Sequence, residues 1–322
     1  MKLTDKEVSD LIKASALNNS DIYFTLSKMP SGDEIKEFSR ELDCKILVLT
    51  PRNSFTKTSE TVIYSDIGAA LNENFTDFLI SENISEILLP FYECADSLEY
   101  GYRAAYANIA EIRASTGKQF HITGISPNIT TGEKIFSLLG SDKYIQAGIE
   151  NETVFKGIKT ASDKSKYHYT AAECEKSPFD KSIVLFSTRR QAEEFSLFMY
   201  KRRTPFTIVH GGIDKIKINE ALKSFLSGEV NILLATKFII PAYSLLCSDK
   251  LIYCGLPYSR SHALRCLSLS KNGKMDCIFS EDDVILTEKL ILSFSKELGT
   301  YEPDYIKNRN NMFNDFLDQL QY

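Results

Sequence analysis

Apolar residues along this chain fall into short runs separated by polar turns, and the spacing within the runs alternates between two periods. Leu11, Ile12, Ala16 and Leu17 recur at helical spacing and stop at Asn18-Asn19-Ser20, a turn. Residues 21–26 (DIYFTL) alternate and then meet Pro30-Ser31-Gly32, which predicts a strand, a loop and a helix over 35–42. Residues 45–49 (KILVL) form a run of the fully buried kind that ends at Thr50-Pro51, and 86–89 and 120–123 are two more. Strands separated by helical segments at this interval predict a parallel sheet covered on both faces.

Residues 150–180 are rich in Lys, Ser, Thr and Glu with little periodicity, which predicts a connector. A second series then begins: strand 182–186, helix 191–200, strand 206–209, helix 215–226 and strands 231–235 and 250–254. The two halves are alike in architecture. Beyond about residue 285 the pattern predicts a helix over 284–298, a polar segment and a further short helix over 312–320. The expected organisation is 1–150 as a first domain, 151–290 as a second and 291–322 as a helical tail.

Composition changes this picture little. The chain has 322 residues, 43% hydrophobic and 25% charged, enough for two domains with real cores. A net charge of −5 gives no global electrostatic footprint for nucleic acid, though a local basic groove is compatible with it. The seven cysteines are scattered without a Cys-x-x-Cys pair, so no metal site is expected and each thiol reads as a small buried apolar group. No apolar run is long enough to span a bilayer and the N-terminus is polar, so the expectation is a cytoplasmic protein without membrane contact.

The stretch 120–140, FHITGISPNITTGEKIFSLLG, carries the most information: a short strand, a small-polar turn and a helix ending in Leu138-Leu139-Gly140. Without a gap, it resembles the segment around motif III of RecQ-type superfamily 2 DNA helicases, where Thr-Ala-Thr stands at the positions of Gly124, Ile125 and Ser126. The likeness recurs over roughly 10–285. Met29-Pro30-Ser31-Gly32-Asp33-Glu34-Ile35-Lys36 resembles the family's P-loop, Met-Pro-Thr-Gly-x-Gly-Lys-Ser. Residues 86–106 resemble the Asp-Glu-Ala-His motif and the aromatic-rich loop after it, allowing a two-residue deletion. SIVLFSTRR (182–190), VHGG (209–212) and VNILLATK (230–237) resemble motif IV, the His-Ala-Gly turn and motif V. The resemblance implies two tandem RecA-like α/β domains with parallel sheets; active relatives continue into zinc-binding and winged-helix modules, for which the chain has no room.

The frame is kept while the catalytic positions change. A P-loop needs glycines to wrap phosphates, a Lys for the β and γ groups and a Ser or Thr for magnesium. Gly32 survives, but Asp33 and Glu34 replace small residues and Ile35 stands in the Lys position, with Lys36 one residue out of register. Acids at this point suit the N-terminus of an ordinary helix. The magnesium Asp becomes Tyr92, Glu93 remains and the His becomes Ala95. A lone carboxylate without its metal-binding partner is a poor catalyst. No Gln lies upstream of the P-loop to read adenine, the first being Gln119. The two arginine-finger positions of motif VI read Leu269 and Asn272, with Lys271 adjacent but lacking the planar fork of Arg. Random divergence would have damaged the frame as well.

Gly32 and Glu93 are therefore remnants, with no catalytic set, no metal and no cofactor; ATP and Mg²⁺ belong only to the alternative of an active helicase. Carried over by position, the candidate nucleic-acid contacts are Arg52 (motif Ia), Tyr100 and Arg103 (aromatic-rich loop), Thr188 and Arg189 (motif IV) and Thr236 (motif V). Lys201-Arg202-Arg203 reads as a solvated helix end and His210 as a turn histidine. The leading reading is a non-hydrolytic pseudo-helicase that binds single-stranded DNA or serves as a scaffold, alongside a protein partner of a DNA-processing or defence complex. An active 3′-to-5′ helicase with divergent motifs and a protein-interaction module that binds no nucleic acid remain open beside it.

Overall fold

The computed structural model describes residues 20–25, 32–50, 59–90, 92, 102–117, 120–126, 136, 139–148, 154–236, 239, 246–297 and 303–320. The helix expected over 9–20 lies outside the described residues except for Ser20. The chain divides into two compact units, Met1–Asn151 with Pro241–Ser244, and Glu152–Ile240 with Leu245–Tyr322.

The first unit is a six-stranded sheet whose described pairs are all parallel. Its strands are β1 (Asp21–Thr25), β2 (Lys45–Thr50), β3 (Val62–Asp66), β4 (Ile84–Pro90), β5 (His121–Ser126) and β6 (Tyr144–Gly148), in the order β3-β2-β4-β5-β1-β6. After Lys45 every residue of β2 is buried, as expected of a parallel strand covered on both faces. Among the described residues its α-helices are α1 (Gly32–Leu42), α2 (Phe75–Ser81) and α3 (Tyr102–Thr116). α1 starts three residues earlier than its apolar spacing suggests, because Asp33 and Glu34 extend it at the positive end of the helix dipole. β5 likewise runs on to Ser126.

A buried ion pair ties α3 to the sheet. Arg113 on α3 donates from Nη1 to Asp21 Oδ2 at 2.7 Å and from Nη2 to Oδ1 at 3.0 Å. Asp21 also accepts from the Ile122 amide at 2.9 Å and from Ser141 Oγ at 2.5 Å. With both oxygens shared among these donors, the charge is compensated where desolvation would otherwise cost several kcal/mol (about that order).

The second unit repeats the design. Strands β7 (Val154–Lys159), β8 (Ser182–Phe186), β9 (Thr207–Val209), β10 (Ile232–Thr236), β11 (Lys250–Cys254) and β12 (Lys274–Phe279) form a parallel sheet in the order β7-β12-β11-β8-β10-β9. Helices α4 (Asp163–Glu175), α5 (Arg189–Lys201), α6 (Lys215–Ser227), α7 (Arg260–Leu267), α8 (Glu281–Glu297) and α9 (Pro303–Gln319) accompany it.

The expected connector over 150–180 is corrected here, since β7 and α4 occupy most of it. α4 escapes a periodicity reading because its buried face is Lys166, Thr170, Ala171 and Cys174, only partly apolar. The tail also differs from a short helix over 312–320. α9 runs for 17 residues, buries Phe313 and Phe316, with Leu320 buried just beyond its end, and packs on α7 and α8. Phe316 meets Phe155 of β7 edge-on at 5.5 Å, and Arg260 donates to Gln319 Oε1 at 2.6 Å. Among the described residues no helix is long and apolar enough to cross a membrane.

Candidate nucleic-acid interface

In parallel α/β sheets ligands collect outside the carboxyl ends of the strands, so each unit offers one edge to examine. In the first unit β1 is followed, after residues outside the described set, by α1. Ile35, which the resemblance sets at the P-loop Lys position, is buried at 4% exposure, and Asp33 is exposed. Lys36 is spent on Asp33, Nζ to Oδ1 at 3.5 Å. The side chains that the resemblance sets against a triphosphate are thus two acids of the first helical turn, Asp33 and Glu34, with the Lys36 ammonium near Asp33.

Beyond β4, Tyr92, which the resemblance sets at the magnesium Asp position, is fully buried. Its ring lies 5.1 Å from that of Tyr23 in an edge-on contact and 5.9 Å from that of Phe136. The Phe136 ring packs at a tilt against those of Tyr23, at 4.1 Å, and Tyr144, at 4.4 Å. Tyr23 and Gly124 are register partners across β1 and β5. A Cβ built at Gly124 would lie 2.3 Å from Tyr23 Cδ1 and 2.9 Å from Tyr92 Cδ1. Aromatic volume therefore excludes any side chain at Gly124, and Ser126 two residues on is fully buried.

The Tyr23 hydroxyl lies 2.5 Å from Ser141 Oγ. Ser141 spends its proton on Asp21, so Tyr23 is the donor in that pair. Burial raises the Tyr23 pKa, and the Asp21 charge raises it further, so the donor stays protonated. At the two positions that the resemblance assigns to magnesium and phosphate, the described side chains are a buried aromatic ring and an exposed carboxylate, a set that does not fit Mg²⁺ and ATP. Among the described residues no group of three or more His, Cys, Asp or Glu is arranged to hold a metal ion.

The other sequence candidates of this unit fall largely outside the described residues. Arg52, Glu93 and Tyr100 do so entirely. Gly32 is the first residue of α1, and Arg103 lies in the first turn of α3 with its side chain outside the described set.

In the second unit the candidates converge. β8 ends at Phe186, whose register partner on β10 is Thr236. Ser187 and Thr188 follow, and Thr188 caps α5, its Oγ1 accepting from the Gln191 amide at 3.2 Å. Arg189 opens the helix and is exposed. β9 ends at Val209, next to β10, and leads into His210-Gly211-Gly212. A Cβ at Gly212 would lie 3.2 Å from His210 Nδ1 and 3.4 Å from Arg189 Nη1, so the turn and the Arg189 guanidinium are neighbours. His210 accepts from the Gly212 amide at 3.1 Å through Nδ1. Burial lowers its pKa, Arg189 reinforces that and Glu193 opposes it, so His210 is a neutral turn histidine.

Thr236 is only 6% exposed. Of the motif VI residues, Leu269 is buried, Lys271 pairs with Asp249 at 2.7 Å and Arg265 donates to the Tyr258 hydroxyl at 3.0 Å.

One feature beneath this edge escaped the sequence reading. Lys166 on α4 is fully buried and contacts Asp283 Oδ1 at 2.7 Å, Asp283 Oδ2 at 2.6 Å and Asp163 Oδ1 at 2.8 Å. Burial opposes its charge, but Cys254, Asp283 and Asp163 outweigh it and hold the ammonium above its usual pKa. Asp283 accepts in addition from Gln191 Nε2 at 3.0 Å and from the Ser280 amide at 2.8 Å. The acidic run Glu281-Asp282-Asp283 at a helix start was the signal available, and nothing in it names Lys166 as partner.

Residues 165–267 match the helicase conserved C-terminal domain. Among curated proteins none matches the chain in sequence. In fold the chain is similar to Dbp5 of S. cerevisiae bound to RNA and ADP BeF3, with a TM-score of 0.59 and 9% identity over 96% of this chain and 86% of that one. It is also similar to the DUF1998 helicase MrfA bound to DNA, with a TM-score of 0.54 and 11% identity over 84% of this chain and 43% of that one. The fold is that of two tandem RecA-like α/β domains with parallel sheets, and the helicase C-terminal match lies within the second.

Proposed function

We propose that this chain is a helicase-like protein of RecQ-type descent that binds single-stranded nucleic acid without hydrolysing ATP. Tyr92 carries the reading. Where catalysis needs a magnesium carboxylate, a fully buried aromatic ring packs against Tyr23 and Phe136. Phosphoryl transfer is almost entirely positioning and charge stabilisation, so losing the metal ligand, the P-loop Lys and both arginine fingers together leaves nothing to perform it. The second unit supports retained binding: Arg189, the Gly211-Gly212 turn and Thr236 share one strand edge, and the similar folds named above are bound to RNA and to DNA. A motor, where one is needed, is then the task of a protein partner in a nucleic-acid-processing complex.

The test is phosphate release by the full chain with saturating single strands and Mg²⁺, beside strand binding by fluorescence anisotropy. Binding without turnover is expected. Strand-stimulated turnover that disappears in Glu93→Gln would establish the active helicase instead, and absence of strand binding at low salt would favour a protein-interaction module.

A further inference from the structure

We infer that the buried Lys166–Asp283–Gln191 relay makes the Thr188 hydroxyl an acceptor toward its ligand, so that this edge reads a ribose 2′-hydroxyl and prefers single-stranded RNA to DNA. The inference rests on the nucleic-acid-binding reading above and concerns the same edge. Sequence resemblance offers Thr188 as a contact to strand backbone, but its hydrogen bonds restrict which backbone group it can serve.

The chain of constraint begins at Lys166, whose three contacts to Asp283 and Asp163 use its three protons. A carboxylate held against an ammonium accepts only, so the Gln191 group 3.0 Å from Asp283 Oδ1 must be its NH₂. The amide is thereby oriented, and its oxygen Oε1 lies 3.2 Å from Thr188 Oγ1. An amide oxygen cannot donate, so Thr188 gives its one proton to Gln191. Thr188 Oγ1 also accepts from the Gln191 backbone amide at 3.2 Å. A hydroxyl has one proton and two lone pairs, and the proton and one lone pair are now committed.

What remains on this half-buried side chain is a single lone pair. A phosphate oxygen, itself an acceptor, gains nothing from it. A 2′-hydroxyl, which can donate, does. The adjacent exposed Arg189 supplies the charge that a phosphate requires, so backbone and sugar are read by neighbouring residues.

The experiment measures dissociation constants of the full chain for labelled 12-nucleotide strands at low salt: oligo-adenosine RNA, oligo-deoxyadenosine and the 2′-O-methyl RNA, which keeps the sugar oxygen and loses its proton. RNA is expected to bind about three- to tenfold more tightly than either of the others, the range of one neutral hydrogen bond. Removing Asp283 would leave Lys166 without its main partner and endanger folding, so Gln191→Leu is the variant of choice, with its fold checked by circular dichroism. It frees the Thr188 proton for a phosphate, and the RNA-to-DNA ratio should fall toward one; Thr188→Val should also abolish the ratio and Thr188→Ser retain it. A purely structural role for Gln191 would weaken RNA and DNA alike, leaving the ratio intact, and would overturn the inference. Equal binding of RNA and DNA by the parent would overturn it too while leaving strand binding standing. Failure of the parent to bind either strand would bring down the underlying reading and this inference with it.

Discussion

Tyr23 packs so closely on its register partner Gly124 that a Cβ there would lie 2.3 Å from Tyr23 Cδ1. Two neighbouring strands have exchanged side-chain volume: β1 carries the large ring and β5 makes room for it. Gly124 is thus held by the ring it faces, and the aromatic cluster of Tyr23, Tyr92 and Phe136 forms at this end of the sheet.

Gly124→Ala is therefore expected to destabilise the first unit by about 1–3 kcal/mol, the usual cost of overpacking a core. At an unconstrained strand position the same change would be neutral or mildly stabilising, so the sign alone is informative. Urea unfolding of the variant measures it. Gly124→Thr should be rescued in part by Tyr23→Val, and a double-mutant cycle showing additivity within about 0.5 kcal/mol would contradict the packing account.

The parts of the fold legible in the sequence were those whose burial is apolar. KILVL gave β2 and SIVLF gave β8 because both faces of these strands are covered and every position needs an apolar side chain. α4 was illegible because its core position is Lys166, whose main partner is Asp283, 117 residues further along the chain. The candidate edge was legible in part. Thr188, Arg189 and Thr236 stand at strand ends and announce themselves through motif spacing, whereas Gln191 meets Asp283 across 92 residues and no local pattern encodes that contact.

Lys166→Met leaves the Asp283 charge buried against Gln191 and Ser280 alone. Breaking one side of a buried pair typically costs about 3–5 kcal/mol, so the second unit should lose much of its stability. Thermal unfolding measures the loss. Limited proteolysis gives an independent view: the parent should resist early cleavage within 161–176, where α4 is seated, and the variant should be cut there. Early cleavage of the parent in α4 would show that this segment is the connector its composition suggests.

Glu86 on β4 offers a test by pH. It is 5% exposed, its Oε1 has no hydrogen-bond partner among the described residues, and burial pushes its pKa from 4.5 up to about 8. Asp21 adds to the rise, while Thr123 and Arg113 oppose it. The folded state thus keeps a proton that the unfolded chain releases above about pH 4.5. This group's contribution to stability is full below that value and is lost as pH rises toward 8. Glu86→Gln removes the ionisation, so its stability relative to the parent should rise between pH 5 and 8, by a total on the order of a few kcal/mol. A pH-independent difference in urea midpoints between the two proteins would show that Glu86 does not titrate in this window.

Strand binding should be weak and only mildly sensitive to salt. The chain carries a net charge of −5, and the expectation counts three cations on a strand: Arg189, beside the Gly211-Gly212 turn, Arg52, carried over from the resemblance, and one Lys. Each phosphate neutralised on a single strand contributes a log–log slope of about −0.7, so the whole slope should be on the order of −2. Fluorescence anisotropy from low to moderate salt gives the number directly. Arg52→Ala combined with Arg189→Ala should weaken binding and flatten the slope by about 1.4, because two released counterions disappear from the balance. A variant that binds as well as its parent, with an unchanged slope, would place the interface elsewhere on the molecule and remove the second unit's strand edge from consideration.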